Sequence, residues 1–192
     1  MLKTVLRFYY SVVRWPQSHG FGVQSPFAYR FIKDVVRVPW PYYAYASLAK
    51  KYPNVSSNRL RLLRFYLRLS NYLQAKVWVE NNLKAEDYDY INAGCRQSVV
   101  YSSKLSPDVA ILDIADDNYA HYENLLESLL IKMSEKSVLV IENIHCDRLA
   151  KRLWLKLISD SRVGVTFDLY DCGLAFFNLN MYKTNYKVML KS

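Results

Sequence analysis

Hydrophobic residues recur along this chain at two periods, and their alternation lays out an α/β protein. Residues 2–14 carry Leu2, Val5, Leu6, Tyr9 and Val13 on one helical face and Lys3, Arg7, Tyr10 and Arg14 on the other. Such a helix either docks on its own domain or serves as a membrane-surface or partner helix. A loop, His19 to Phe27, follows. Ser25 and Pro26 then supply the cap and first turn of a helix that Pro39 and Pro41 stop at Arg37 or Val38. The pattern next predicts a short helix over 42–51 and a long helix over 59–73 capped by Asn58. The Arg61, Arg64 and Arg68 stripe of the long helix reads as its wet face.

From residue 76 the period shortens. Residues 76–80 and 88–92 read as two strands separated only by 81–87. A parallel crossover takes a dozen or more residues. Either a crossover helix has been lost here or the two strands pair antiparallel. Two apolar runs then end in acids: strand 108–113, followed by Asp116 and Asp117, and strand 137–142, followed by Asn143 and His145. Continuous apolar runs suit strands covered on both faces, and ligands bind at the carboxyl edge of such sheets. A helix over 119–133 joins them. Asp147 caps a helix over 148–159, a hairpin pairs 163–170 with 173–178, and a last strand covers 186–190. The expected organisation is an N-terminal helical extension, 1–58, and an α/β domain, 59–192.

Charge is distributed unevenly over the 192 residues. The net charge of +9 divides into +12 for residues 1–76, −8 for 77–147 and +5 for 148–192. The basic front is either a solvated surface or an attraction for nucleic acid, anionic lipid or an acidic partner. Cys95, Cys146 and Cys172 are odd in number and form no CxxC pair, so they read as reduced thiols rather than a disulfide framework or zinc site. Lys3, Arg7 and Arg14 interrupt any leader-like run, and no apolar stretch reaches the roughly 18 residues of a membrane span. A cytoplasmic protein, at most peripheral to a membrane, is expected. Only five glycines occur, which argues against a phosphate-cradling loop.

From strand 76–80 onward this order resembles the class I S-adenosylmethionine-dependent methyltransferases. The similarity is strongest over Val138-Leu-Val-Ile-Glu-Asn-Ile-His145, the following helix, Val165–Tyr170 and Gly173–Phe177. The loop His19-Gly20 through Ser25-Pro26-Phe27 resembles the opening of one bacterial branch of that family, with Gln24 where a histidine is expected. The resemblance implies a mostly parallel, Rossmann-like sheet with an antiparallel C-terminal hairpin, here in reduced form. Family members follow the first strand with an acid, a glycine-rich turn and a helix. Here Glu80 stands at the acid position, and Asn81-Asn82-Leu83 replaces the turn. A glycine lets the backbone approach a ligand without a Cβ clash. Asn92 occupies the position of the ribose-binding acid if 88–92 is the second strand.

Glu80, Asn81, Asn82, Asn92 and Asp113 are therefore the implied S-adenosylmethionine contacts, and Asp113 and His145 the implied catalytic groups. Asp113, Glu142 and Asn143 align with a divalent-metal set, and oxygen donors of this kind suit Mg²⁺ or Ca²⁺. Two readings follow. In one, the chain has lost cofactor binding and acts as a binding or assembly module, meeting a protein partner or a second copy through its basic, aromatic N-terminal part. In the other, it transfers a methyl group from S-adenosylmethionine to a small hydroxyl or amine. The loss of the glycine turn, its helix and the ribose acid favours the first, with neither cofactor nor metal. Nucleic-acid binding through Arg61, Arg64 and Arg68 is the weakest reading.

Overall fold

Seven strands, β1 (Val77–Glu80), β2 (Val99–Tyr101), β3 (Val109–Leu112), β4 (Val138–Glu142), β5 (Thr166–Asp168), β6 (Cys172–Phe176) and β7 (Asn185–Lys187), form one sheet. Their order is β2-β1-β3-β4-β6-β5-β7, and β6 alone runs antiparallel to its neighbours. The computed structural model describes residues 2–102, 106–114, 116, 118–145 and 148–191, with no side-chain description for Leu2, Lys3 and Thr4. Expectations placed on Asp117, Cys146, Asp147 and the side chains of Leu2 and Lys3 lie outside the described residues.

Successive strand residues point to opposite faces, and the two cores divide accordingly. Trp78, Val109, Ile111, Val138, Val140, Leu174 and Phe176 face one layer. Val79, Ala110, Leu112, Leu139, Ile141 and Ala175 face the other. The first layer consists of α3 (Pro26–Phe31), α5 (Ser57–Leu73) and α6 (Ala85–Gly94). The second consists of α7 (Tyr119–Leu130) and α8 (Arg148–Ser159). The described residues also form the helices α1 (Leu2–Val13), α2 (Trp15–Ser18) and α4 (Tyr45–Lys51). Ala28, Phe31, Ile32, Val35 and Val36 of the N-terminal segment belong to the same core as α5 and the sheet.

Several local expectations hold in detail. Ser25 caps α3, its Oγ accepting from Ala28 N at 3.3 Å, with Pro26 in the first turn. Beyond Phe31 the helix widens into a π turn over Ile32–Val36. The cap of α5 is Ser56 rather than Asn58; Ser56 Oγ accepts from Arg59 N at 3.3 Å. The basic stripe of α5 is not a wet face. Arg61 and Arg68 are buried, and Arg68 donates to the carbonyls of Val35 and Val36 and to Tyr45 Oη.

The largest correction concerns residues 88–92. They are not a strand but the middle of α6, which supplies the crossover from β1 to β2. Asp87, Tyr90 and Ile91, spaced i, i+3, i+4, form its buried face against α5. The helix thought lost is therefore present, and the strand pair is parallel. The shortening lies one connection later. β2 ends at Tyr101 and β3 begins at Val109, and the two strands flank β1.

The α5–α6 contact depends on Gly94. A Cβ built there would lie 2.3 Å from Leu67 O and 2.9 Å from Asn71 N, both backbone atoms. We expect Gly94→Ala to destabilise the protein by about 1–3 kcal/mol through overpacking. A urea-denaturation midpoint equal to that of the parent would contradict the close approach. Among the described residues no helix is long and apolar enough to cross a membrane.

Candidate functional site at the carboxyl edge of the sheet

Parallel strands deliver their last residues to one edge, and here that edge is densely charged. Glu80 closes β1, Asp113 follows β3, Glu142 closes β4 and Asp168 closes β5. The chain's own side chains gather these acids into three groups.

The first group is buried. Glu80 and Asp87 are fully enclosed and Glu142 nearly so. Arg59, one turn into α5, reaches between them, donating to Glu142 Oε1 at 2.8 Å and to Asp87 Oδ1. Tyr66 Oη donates to the same Glu142 oxygen. Burial drives the Glu80 carboxyl up to about 9; Asp87 and Glu142 push the same way, against Arg59 and Lys84. Glu80 is thus protonated at neutral pH. Neither of its oxygens, nor Arg59 Nε, has a hydrogen-bond partner among the described residues. Burial also raises Asp87 to about 6, with Arg59 opposing.

The second group surrounds Asp113. Asn81 locks its backbone in both directions, Nδ2 donating to Asp113 O at 2.9 Å and Oδ1 accepting from Asp113 N at 2.8 Å. Asn82 Nδ2 and Lys84 Nζ donate to Asp113 Oδ2 at 2.9 and 3.1 Å, and Asn143 Nδ2 donates to Oδ1 at 3.4 Å. The Asn-Asn turn standing in place of glycine therefore binds the chain itself.

The third group holds α1. Arg14 grips Asp168 with both terminal nitrogens, NH1 to Oδ1 at 2.7 Å and NH2 to Oδ2 at 3.0 Å. His145 Nε2 lies 2.9 Å from Asp168 Oδ2 and 3.3 Å from Arg14 NH2, and its ring stacks on Tyr170. Burial alone would raise the Asp168 carboxyl. Hydrogen bonds from His145 and Arg14 outweigh it and bring the pKa down to about 2.

These placements change the reading of the expected site residues. Asn92 sits near the end of α6, its Nδ2 donating to Arg96 O and Ser98 O, both at 3.3 Å, and it does not close a strand. The second strand ends instead at Tyr101 and Ser102, both exposed, with no acid. Asp113 and Asn143 meet, whereas Glu142 Oε1 is engaged by Arg59 and Tyr66. No cluster of three or more His, Cys, Asp or Glu residues able to hold a metal occurs among the described residues. His145 belongs to the Arg14–Asp168 group.

Sequence reasoning missed Arg14, Arg59, Tyr66, Lys84, Asp87 and Asp168. The buried i, i+3, i+4 pattern of Asp87, Tyr90 and Ile91 was the one readable clue to Asp87. Above Arg59 and Lys84 lies a cavity of about 470 Å³, whose wall also includes Lys51, Tyr52, Ser56 and Glu86. Its volume is within the range of ligand pockets, and its wall sets the charged side chains of Lys51, Arg59, Lys84 and Glu86 beside the apolar Pro53 and Val55.

No family model matches the sequence, and no curated protein matches it. Solved structures do match. One is the cofactor-bound Rv0187 of MTB, with a TM-score of 0.50 and 12% identity, covering 70% of this chain and 88% of that one. Another is the O-methyltransferase TomG of Streptomyces achromogenes in complex with SAM, with a TM-score of 0.45 and 12% identity, covering 72% and 91%. The seven-stranded, mostly parallel sheet with its antiparallel β6 is a Rossmann-like α/β fold.

Proposed function

We propose that this chain is a degenerate methyltransferase-like protein that has lost S-adenosylmethionine binding and works as a binding or assembly module. One observation carries the reading: around Asp113 and Glu142, the sheet edge that would receive a cofactor is occupied by the chain's own side chains. Asn81, Asn82, Lys84 and Asn143 are all spent on Asp113, and Arg59 and Tyr66 on Glu142. A ligand arriving there would have to break several of these bonds, two of them to charged donors, before gaining any of its own. The turn after β1 also presents Cβ atoms where the fold family presents glycine, and β2 ends without an acid to hold ribose hydroxyls. The residues present do not fit the cofactor, and no chemical step is assigned to it.

A second reading, methyl transfer to a small hydroxyl or amine, draws support from Glu80. Its buried carboxyl has no partner, and a ligand amine or hydroxyl would satisfy it. Thermal unfolding in the presence of S-adenosylmethionine and S-adenosylhomocysteine separates the two. A ligand at 100 times its Kd stabilises by about 2.7 kcal/mol, equivalent to roughly 5–11 °C at this chain length. We expect no shift at millimolar ligand; a rise of several degrees would restore the enzyme.

A further inference from the structure

Helix α1 is mounted with its polar side inward. Arg7 pairs with Asp171, Arg14 is buried against Asp168, and Tyr10 packs on Tyr170 at 5.2 Å and on His145 at 5.8 Å. The charged residues of an amphipathic helix on a water-soluble domain ordinarily face solvent. Here they are the attachment, and the apolar side is left outward. Val5, Phe8, Tyr9, Val12 and Val13 are exposed by 61, 71, 59, 59 and 55%. Val5, Phe8, Tyr9 and Val12 follow i, i+3, i+4, i+7, one continuous stripe.

The surface continues past the helix. Trp15 stacks on Phe21 and lies tilted against His19, and the turn at Gly20 lies against the Tyr29 ring. Trp15, Phe21 and Tyr29 are themselves exposed. Contiguous apolar patches of this extent mark an interaction surface rather than ordinary solvent contact.

The rim of the patch selects the occupant. Arg37 NH2 lies 3.2 Å from His19 Nε2; the backbone N–H of Lys187 donates to Gln17 Oε1 of α2, and the Lys187 side chain is exposed. Arg30 and Lys33 are exposed on the helix that carries Tyr29, and Asp34 is the single acid among residues 1–76. Two copies meeting face to face would bring two such cationic rims together. An anionic bilayer complements the rim and accepts the apolar stripe at the same time. Tyr and Trp at the margin of the stripe suit the headgroup level.

We propose that α1 and the Trp15–Phe21 turn form a docking face for an anionic lipid surface, with α1 lying in the plane of the interface and the basic rim on lipid headgroups. The ion pairs of Arg7 and Arg14 fix the helix to the domain, so the whole sheet is carried to the bilayer at a set orientation. This inference is independent of whether the sheet edge binds a cofactor.

Flotation with vesicles tests it. The full chain is mixed with phosphatidylcholine vesicles, or with vesicles of phosphatidylcholine and phosphatidylglycerol. We expect it to float with the anionic vesicles, with binding lower by about tenfold on neutral ones and reduced by salt. Phe8→Glu with Val12→Glu should abolish flotation while leaving the melting temperature and circular dichroism unchanged, since both side chains are exposed. Arg30→Glu with Lys33→Glu should weaken flotation only on anionic vesicles. The proposal is overturned if no vesicle binds, or if the Phe8/Val12 variant floats as well as the parent. It is equally overturned by light scattering that finds a stable dimer which that variant splits, because the occupant is then a second copy.

Discussion

Arg59→Met is expected to cost about 3–5 kcal/mol at neutral pH, the penalty for leaving a buried charge without its partner. Methionine keeps much of the side-chain volume, so the loss is electrostatic rather than a cavity. Arg59 is the cation that reaches both Asp87 and Glu142, and all three lie under the end of β1. Without it, two enclosed carboxyls hold their charge in a medium that solvates charge poorly, and Asp87, raised to about 6 by burial against the opposing pull of Arg59, rises further. A carboxyl whose folded pKa exceeds its unfolded value favours the fold at low pH and opposes it as pH increases. The deficit of the variant should therefore shrink between pH 7.5 and pH 5. Urea denaturation at both values measures it. A loss below about 1 kcal/mol at pH 7.5, or one that grows on acidification, would mean that Arg59 does not balance these acids.

Glu80→Gln should act in the opposite direction. The folded pKa of Glu80 is raised from 4.5 to about 9, so the native state holds a proton that the unfolded chain has released at neutral pH. In the parent, this group's contribution is intact below about pH 4.5. It declines by up to about 1.4 kcal/mol per pH unit as pH climbs toward 9. Glutamine has nearly the same shape and no proton to lose. We expect the variant to exceed the parent by about 4–5 kcal/mol at pH 8 and to match it within about 1 kcal/mol at pH 4.5. Equal stabilities at both pH values would show that Glu80 is ionised and solvated in the folded protein. Asp87 reinforces the trend over a lower window, from 3.8 to about 6. Asp168 runs the other way: lowered to about 2, it loses its contribution only as pH falls from about 3.8 toward 2.

The sheet's interior was the readable part of the sequence. Strands β3 and β4 are uninterrupted apolar runs with acids beyond their ends, a pattern that only a strand covered on both faces explains. Helix α8 showed its stripe at Leu149, Leu153 and Leu157, and Leu153 and Leu157 are buried. Tyr88–Asn92 misled because its residues satisfy two periods at once. Tyr88, Tyr90 and Ile91 are strand-prone residue types, while Asp87, Tyr90 and Ile91 make a helical face. Packing against α5 decides between them. The crossover-length rule already opposed a second strand at that spot, and it deserved more weight than local propensity.

The edge site was legible only as a set of strand-end acids. Its partners lie far off in sequence: Arg59 is 28 residues from Asp87 and 83 from Glu142, and Arg14 is 154 from Asp168. No local pattern encodes pairings at such distances. For the same reason, the amphipathicity of α1 identified a helix without showing which side it would bury. The two aspartates at the sheet's far end, Asp168 and Asp171, reversed the usual choice by recruiting Arg14 and Arg7.

Both borders of the sheet are brief: β2 and β7 contribute three residues each, and β2 shows Val99 and Tyr101 to solvent. A lateral strand joining either border would gain only a short ladder, too little to seed strand-by-strand growth. Aggregation along the hydrogen-bonding direction is thereby discouraged by geometry alone, and the chain can carry an apolar helix on its outside without also offering a template for fibrils.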